Sequence, residues 1–129
     1  MSNDQNFKRY RVVEINIEQK RLEYRRSLEE TYGNVIERFS QMPEVEKVIL
    51  FGSYAAGRRD LFTDLDLIVV MDTDQDILHR TAGLVQKLQA RVDLDLLVYT
   101  PDEFERMQGS SFLQHALESG QVIYEKKRT

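Results

Sequence analysis

The chain has no cysteine, which at once excludes a disulfide framework, a thiolate zinc site and a cysteine nucleophile. Histidine is almost as scarce. His79 and His115 are far apart in 129 residues and make a poor basis for a zinc enzyme. The longest apolar run, Leu67 to Met71, falls far short of the ~20 residues needed to cross a bilayer. Met1-Ser-Asn-Asp lacks the basic start and apolar core of a secretion signal, so a soluble cytoplasmic domain is the expectation. Basic charge is not in excess either. Lysine and arginine number 18 against 22 acidic residues, for a net charge of −4, which argues against nonspecific duplex DNA binding. What remains, at 41% hydrophobic and 31% charged, suits one globular domain burying roughly two thirds of its unfolded surface.

The patterning predicts an α/β unit. Residues 1–13 are polar and read as a flexible arm, with 14–125 as the domain and 126–129 as a basic tail. From about Glu14 to Gln41, Tyr24, Leu28, Tyr32, Val35, Ile36 and Phe39 recur at three- and four-residue steps, the stripe of a long helix closed by Pro43. Strands are expected at Val45 to Phe51, Asp64 to Met71, Val92 to Tyr99 and Gln121 to Glu125. Helices are expected at Asp76 to Ala90, after Thr100-Pro101-Asp102-Glu103 with its hydroxyl cap and capping-box glutamate, and from Ser110 or Ser111 to Gly120.

Two of these strands carry Asp-Leu-Asp, although aspartate packs poorly on a pleated surface. Alternation puts Asp64 and Asp66 on one face of the second strand and Asp93 and Asp95 on one face of the third. If the strands are neighbours, carboxylates converge, and like charges across strands repel. Either one carboxylate takes a strongly raised pKa or a cation intervenes, and all-oxygen ligands favour Mg²⁺ or Mn²⁺. For either pair alone, a solvated sheet face is the favoured explanation of the aspartates; two copies on candidate neighbouring strands shift the reading toward a metal.

Gly52-Ser53 directly follows an apolar strand and precedes a helix start. Glycine allows a ligand close to the backbone, and free amides at a helix start attract phosphate. No Walker loop is present. A phosphate-gripping turn beside a carboxylate-held metal is the equipment that transfer from a nucleoside triphosphate requires.

Leu50-Phe-Gly-Ser-Tyr-Ala-Ala-Gly57, followed by Thr63-Asp-Leu-Asp-Leu-Ile-Val-Val70, resembles the polymerase β-like nucleotidyltransferase superfamily. Its signature is Gly-Ser, about ten residues, then Asp-x-Asp, with a third carboxylate on the next strand. Asp95-Leu-Leu-Val-Tyr-Thr-Pro-Asp-Glu-Phe104 is similar to that next strand and its helix, which puts Asp95 rather than Asp93 in the third position. Without a further substrate-binding domain, the chain resembles the minimal nucleotidyltransferases, the MNT group, whose members often act beside a helical HEPN partner in toxin–antitoxin pairs. Many of them have arginine where this chain has Ala56, leaving Arg58 or Arg59 to replace it, or the position without one.

The resemblance implies a nucleotidyltransferase fold, a small mixed sheet packed against helices, with a shallow open active face. It implies AMP transfer from ATP to a hydroxyl, such as a tyrosine of the HEPN partner. Asp64 and Asp66 would bind two Mg²⁺ ions. Asp95 would complete one metal site and act as, or position, the base. Gly52 and Ser53 would hold the β- and γ-phosphates. Tyr54 either lines the nucleotide pocket or packs, and His79 and His115, each on an expected helix, read as surface or interface residues. Two other readings stand beside this one: a non-catalytic antitoxin acting by occlusion, and a transferase for an antibiotic or sugar in a homodimer cleft.

Overall fold

Short aliphatic runs interrupted by turn residues give four strands, and the periodic segments between them give the helices that cover the resulting sheet. The structure, a computed structural model, describes residues 2–127, with side chains from Asn16 onward. In chain order the elements are α1 (Ser2–Ser40), β1 (Val45–Phe51), α2 (Gly52–Ala55), β2 (Leu65–Met71), α3 (Ile77–Leu88), β3 (Leu94–Tyr99), α4 (Pro101–Met107), α5 (Ser111–Ser119) and β4 (Gln121–Glu125). The sheet order is β3-β2-β1-β4. β1 pairs antiparallel with both β2 and β4, while β2 and β3 run parallel, so the sheet is mixed as expected.

Alternation along the strands divides the core into two layers. Val48 and Leu50 of β1, Leu65, Leu67 and Val69 of β2, and Leu96 and Val98 of β3 meet Leu28, Val35 and Phe39 of α1 and Leu84 and Leu88 of α3. Ile49, Ile68 and Val70 point the other way, toward Phe104 of α4 and Leu113 and Ala116 of α5. Burial of one such leucine stabilises the fold by about 2 kcal/mol. Both layers have firm helix ends: the Asp76 carboxylate accepts the His79 N–H at the start of α3, and Thr100 and Glu103 form the expected capping box on α4.

The first helix departs from expectation. It begins at Ser2 rather than near Glu14, so residues 2–13, read as part of an arm, are helical. Polarity misled here: residues 2–13 contain neither glycine nor proline, and a polar run can propagate an existing helix without any apolar stripe. The stripe buries only from Tyr24 onward; Asn16 to Glu23 are exposed. Among the described residues, no helix is long and apolar enough to cross a membrane.

Candidate active site

Parallel pairing of β2 with β3 sets Asp66 directly opposite Asp95, and the antiparallel pairing of β1 sets Phe51 opposite Asp66. Neighbouring strands are ~4.8 Å apart, so the two carboxylates share one row of the sheet. Asp64 lies two residues before Asp66, on the same face, and the intervening Leu65 is buried in the core beneath α1. The leucine-in, aspartate-out alternation read from the sequence therefore holds on β2. On β3, Leu94 packs against the same core, and Asp95 is exposed on the carboxylate face.

Asp66 carries the electrostatic signature of this crowding. Burial raises its pKa above the ordinary carboxylate value, and the charges of Asp95 and Asp64 raise it further; a hydrogen bond from the Ser53 backbone N–H opposes the rise. The Ser53 amide of the Gly52-Ser53 turn thus faces the Asp66 carboxylate. Gly52 has φ +76°, and a side chain there would overlap the Asp66 carboxylate. Glycine is thus required twice, for the left-handed backbone and for the close approach.

All three carboxylates are hard oxygen donors, the chemistry that Mg²⁺ or Mn²⁺ prefers. Among the described residues, no three acidic or imidazole groups close on a point tightly enough to form an all-protein cage. Mg²⁺ seldom needs one: it is commonly held by one or two carboxylates, with water and substrate phosphate completing the shell. An open cluster around a carboxylate of raised pKa fits such an ion.

The loop before Asp64 is tightly tied. The Asp60 carboxylate accepts the Phe62 N–H at 2.9 Å, the Thr63 hydroxyl accepts the Asp60 N–H at 3.0 Å, and the Thr63 N–H reaches the Asp60 carbonyl at 3.1 Å. Thr63 is fully buried. From α1, the Tyr24 hydroxyl donates to the Thr63 carbonyl at 2.7 Å. Sequence reasoning missed Tyr24 in this role, since its spacing marked it only as part of an apolar stripe.

The two loop arginines are put to different uses. The Arg59 guanidinium lies 3.5 Å above the Tyr54 ring and donates to the Tyr54 and Arg58 carbonyls. Tyr54 also meets Tyr32, with ring centroids 5.3 Å apart, and is buried, so it packs rather than lining an open pocket. Arg58 is exposed, pairs with Asp60 at 2.7 Å and lies within the field of Asp64. Asp93 precedes β3, is exposed, and offers its carbonyl to the Leu65 N–H. His79 and His115 are exposed and outside the cluster. A groove of about 810 Å³ between Lys47, Val70, Pro101, Phe104 and Lys126 lies at the opposite ends of β1 and β2, leaving the carboxylates on an open face.

Known proteins resemble this chain in sequence and in fold. The model of the family described as polymerase beta, nucleotidyltransferase, matches residues 33–129. A Methanocaldococcus jannaschii protein, provisionally named a protein adenylyltransferase, is 34% identical over 82 residues, covering 62% of this chain and 79% of its own. A crystallised mutant of the toxin–antitoxin pair MntA–HpeT superposes with a TM-score of 0.54 at 23% identity, over 74% of this chain and 72% of that one. A nucleotidyltransferase, also provisionally named, from Sulfolobus solfataricus superposes with a TM-score of 0.51 at 19% identity, over 85% and 87%. At such identities the solved structures speak for the fold; the match over residues 33–129 speaks for the family. This chain belongs to the polymerase beta nucleotidyltransferase family.

Proposed function

We propose that the chain transfers AMP from ATP, with Mg²⁺, to a hydroxyl on a protein partner, and that this acceptor is a tyrosine of a helical HEPN-type protein whose activity the modification silences. The observation that carries this reading is Asp66, held between Asp95 and Asp64 with its pKa raised by burial and by both neighbours. The name of the M. jannaschii relative supports AMP and a protein acceptor, and the likeness to a chain of a toxin–antitoxin pair supports the kind of partner.

In this reading Asp64 and Asp66 hold two divalent ions, and Asp95 completes one of their sites. Bound there, the ions supply charge neutralisation for the triphosphate and the departing pyrophosphate. Asp95, exposed at the rim, receives the acceptor's proton or orients the hydroxyl that gives it up. The acceptor oxygen bonds to the α-phosphorus, the bond from that phosphorus to the bridging oxygen of the β-phosphate breaks, and pyrophosphate leaves. Gly52 and Ser53 lie against the β- and γ-phosphates, the serine through its hydroxyl because its amide holds Asp66. Arg58, exposed and within the field of Asp64, exchanges Asp60 for the triphosphate and takes the place of the family arginine missing at Ala56. Arg59 is committed to Tyr54.

The test is incubation with Mg²⁺ and α-labelled ATP, with and without the product of the neighbouring gene. Label on a tyrosine of that product is expected. Label on free hydroxylated metabolites, with none on protein, would replace the protein acceptor by a small molecule. No turnover of any of the four triphosphates would overturn the reading.

A further inference from the structure

Helix α1 reaches the strand end that carries the carboxylates through the Tyr24 hydroxyl. Tyr24 donates to the carbonyl of Thr63 at 2.7 Å, and the peptide unit carrying that carbonyl leads directly into Asp64. The next amide, Leu65 N–H, makes a bond to the Asp93 carbonyl at 3.1 Å, joining the start of β2 to β3. Asp64 is thus bracketed by one tie to α1 and one to the third strand. Tyr24 lies outside residues 33–129, the part of the chain that matches the family model.

We infer that Tyr24 is a positioning residue for Asp64, holding the Thr63 carbonyl so that the Asp64 carboxylate keeps its place beside Asp66. The inference rests on the proposed metal-assisted transfer. Three observations support it. Thr63 is fully buried, so its carbonyl has little recourse to water if the tyrosine hydroxyl is lost. Burial raises the pKa of the Tyr24 hydroxyl, and the charges of Asp64, Asp93 and Asp60 raise it further, so the hydroxyl stays a donor. The Asp60–Thr63 turn already fixes the loop on its other side, so removing the Tyr24 tie frees the segment at the Thr63–Asp64 peptide in particular.

Tyr24→Phe removes the hydroxyl and keeps the ring. Three measurements decide its role: hydrogen exchange of the Thr63–Leu65 amides without ligand, Mn²⁺ binding by electron paramagnetic resonance with ATP present, and AMP transfer. Faster exchange at Asp64 and Leu65, Mn²⁺ affinity weakened roughly tenfold and a similar fall in kcat are expected, the size typical of losing an outer partner of a metal site. Leu28→Val, which loosens α1 in the core, serves as a control: it lowers Tm and leaves Mn²⁺ affinity unchanged. Tyr24→Phe exchanging, binding Mn²⁺ and turning over like the parent overturns the role of Tyr24 alone. Loss of Mn²⁺ affinity in Leu28→Val equal to that in Tyr24→Phe also overturns it, since general loosening then explains the effect. A parent chain that binds no Mn²⁺ with ATP present overturns the metal-assisted reading itself, and the role of Tyr24 with it.

Discussion

Gly52 and Asp66 are packed so closely that the first atom of any side chain at position 52 would overlap the Asp66 carboxylate. Gly52 also has φ +76°, where a side chain strains the backbone by ~1–2 kcal/mol. Gly52→Ala therefore has two costs. It is expected to lower stability by about 2 kcal/mol or more by urea unfolding and to abolish transfer, since Asp66 must move aside. Gly57→Ala is the comparison. Its φ of +96° imposes backbone strain, yet nothing lies within 4 Å of a new methyl, so it should lose stability and retain transfer per folded molecule.

Asp66 links stability to pH in the opposite sense from most carboxylates. Its folded-state pKa is raised, so the folded chain binds the proton more tightly than the unfolded chain does. The stabilising effect of that proton is complete at low pH and is lost as pH rises through the raised pKa. Asp66→Asn keeps an acceptor for the Ser53 N–H and removes the charge. Without metal it should melt above the parent at pH 7, with the gap narrowing as pH falls toward 4. Transfer should fall roughly 100-fold or more, since even outer partners of metal sites are worth 10–100-fold. Mg²⁺ with ATP should raise the Tm of the parent and barely move that of Asp66→Asn, and EDTA should abolish the difference.

The parts of this site that follow from local rules were legible in the sequence. Period-two alternation put Asp64 and Asp66 outward with Leu65 inward, whereas the pairing of the Gly52-Ser53 turn with Asp-x-Asp was implied by the resemblance to the nucleotidyltransferase family. Register between β2 and β3 could only be conditional, because nothing local says that two strands separated by a helix are neighbours. Tyr24 was hidden for the same reason: its partner is 39 residues away, and an aromatic in an apolar stripe shows no sign of what its hydroxyl meets. Arg80 was hidden more deeply. A lone arginine near a helix start reads as solvated, yet this one is 4% exposed because Glu103, on another helix, is there to receive it. The start of α1 was misplaced because hydrophobic periodicity marks where a helix is buried, not where it begins.

Arg58 and Arg59 are adjacent and should behave differently. Arg59 braces the turn through the Tyr54 ring and two carbonyls, whereas the exposed Arg58 holds only Asp60 among the described residues. Arg58→Ala is expected to raise KM for ATP roughly tenfold, the scale of losing a charged hydrogen-bond partner, with Tm unchanged. Arg59→Ala should lower Tm by a few degrees, roughly the effect of 1 kcal/mol in a chain of this size. Steady-state kinetics beside thermal melts separate the two; equal effects of both substitutions on KM would remove Arg58 from the triphosphate.

Arg80 and Glu103 form a two-pronged pair, 2.7 and 2.9 Å, that joins α3 to α4 beyond the carboxyl ends of β2 and β3, at the other end of the sheet from Asp66. The guanidinium holds the Glu103 pKa at about 2, with the Thr100 amide and hydroxyl helping. Because the folded-state value lies below the ordinary one, the stabilisation is complete above about pH 4.5 and is lost as pH falls toward 2. Glu103→Gln preserves the capping box and removes the charge, leaving Arg80 buried and unpaired. A loss of about 2 kcal/mol at pH 7 is expected, below the 3–5 kcal/mol typical of a fully buried pair because Glu103 remains partly exposed. The deficit relative to the parent should shrink as pH falls from 4.5 toward 2. Arg80→Met combined with Glu103→Gln removes both charges and should regain much of the loss. Urea unfolding at pH 7 and pH 3 checks all three. AMP transfer per folded molecule should stay at the parent level throughout, since the pair contacts none of Asp64, Asp66 and Asp95. A deficit for Glu103→Gln that is equally large at both pH values would show that packing, and not the ion pair, joins the two helices.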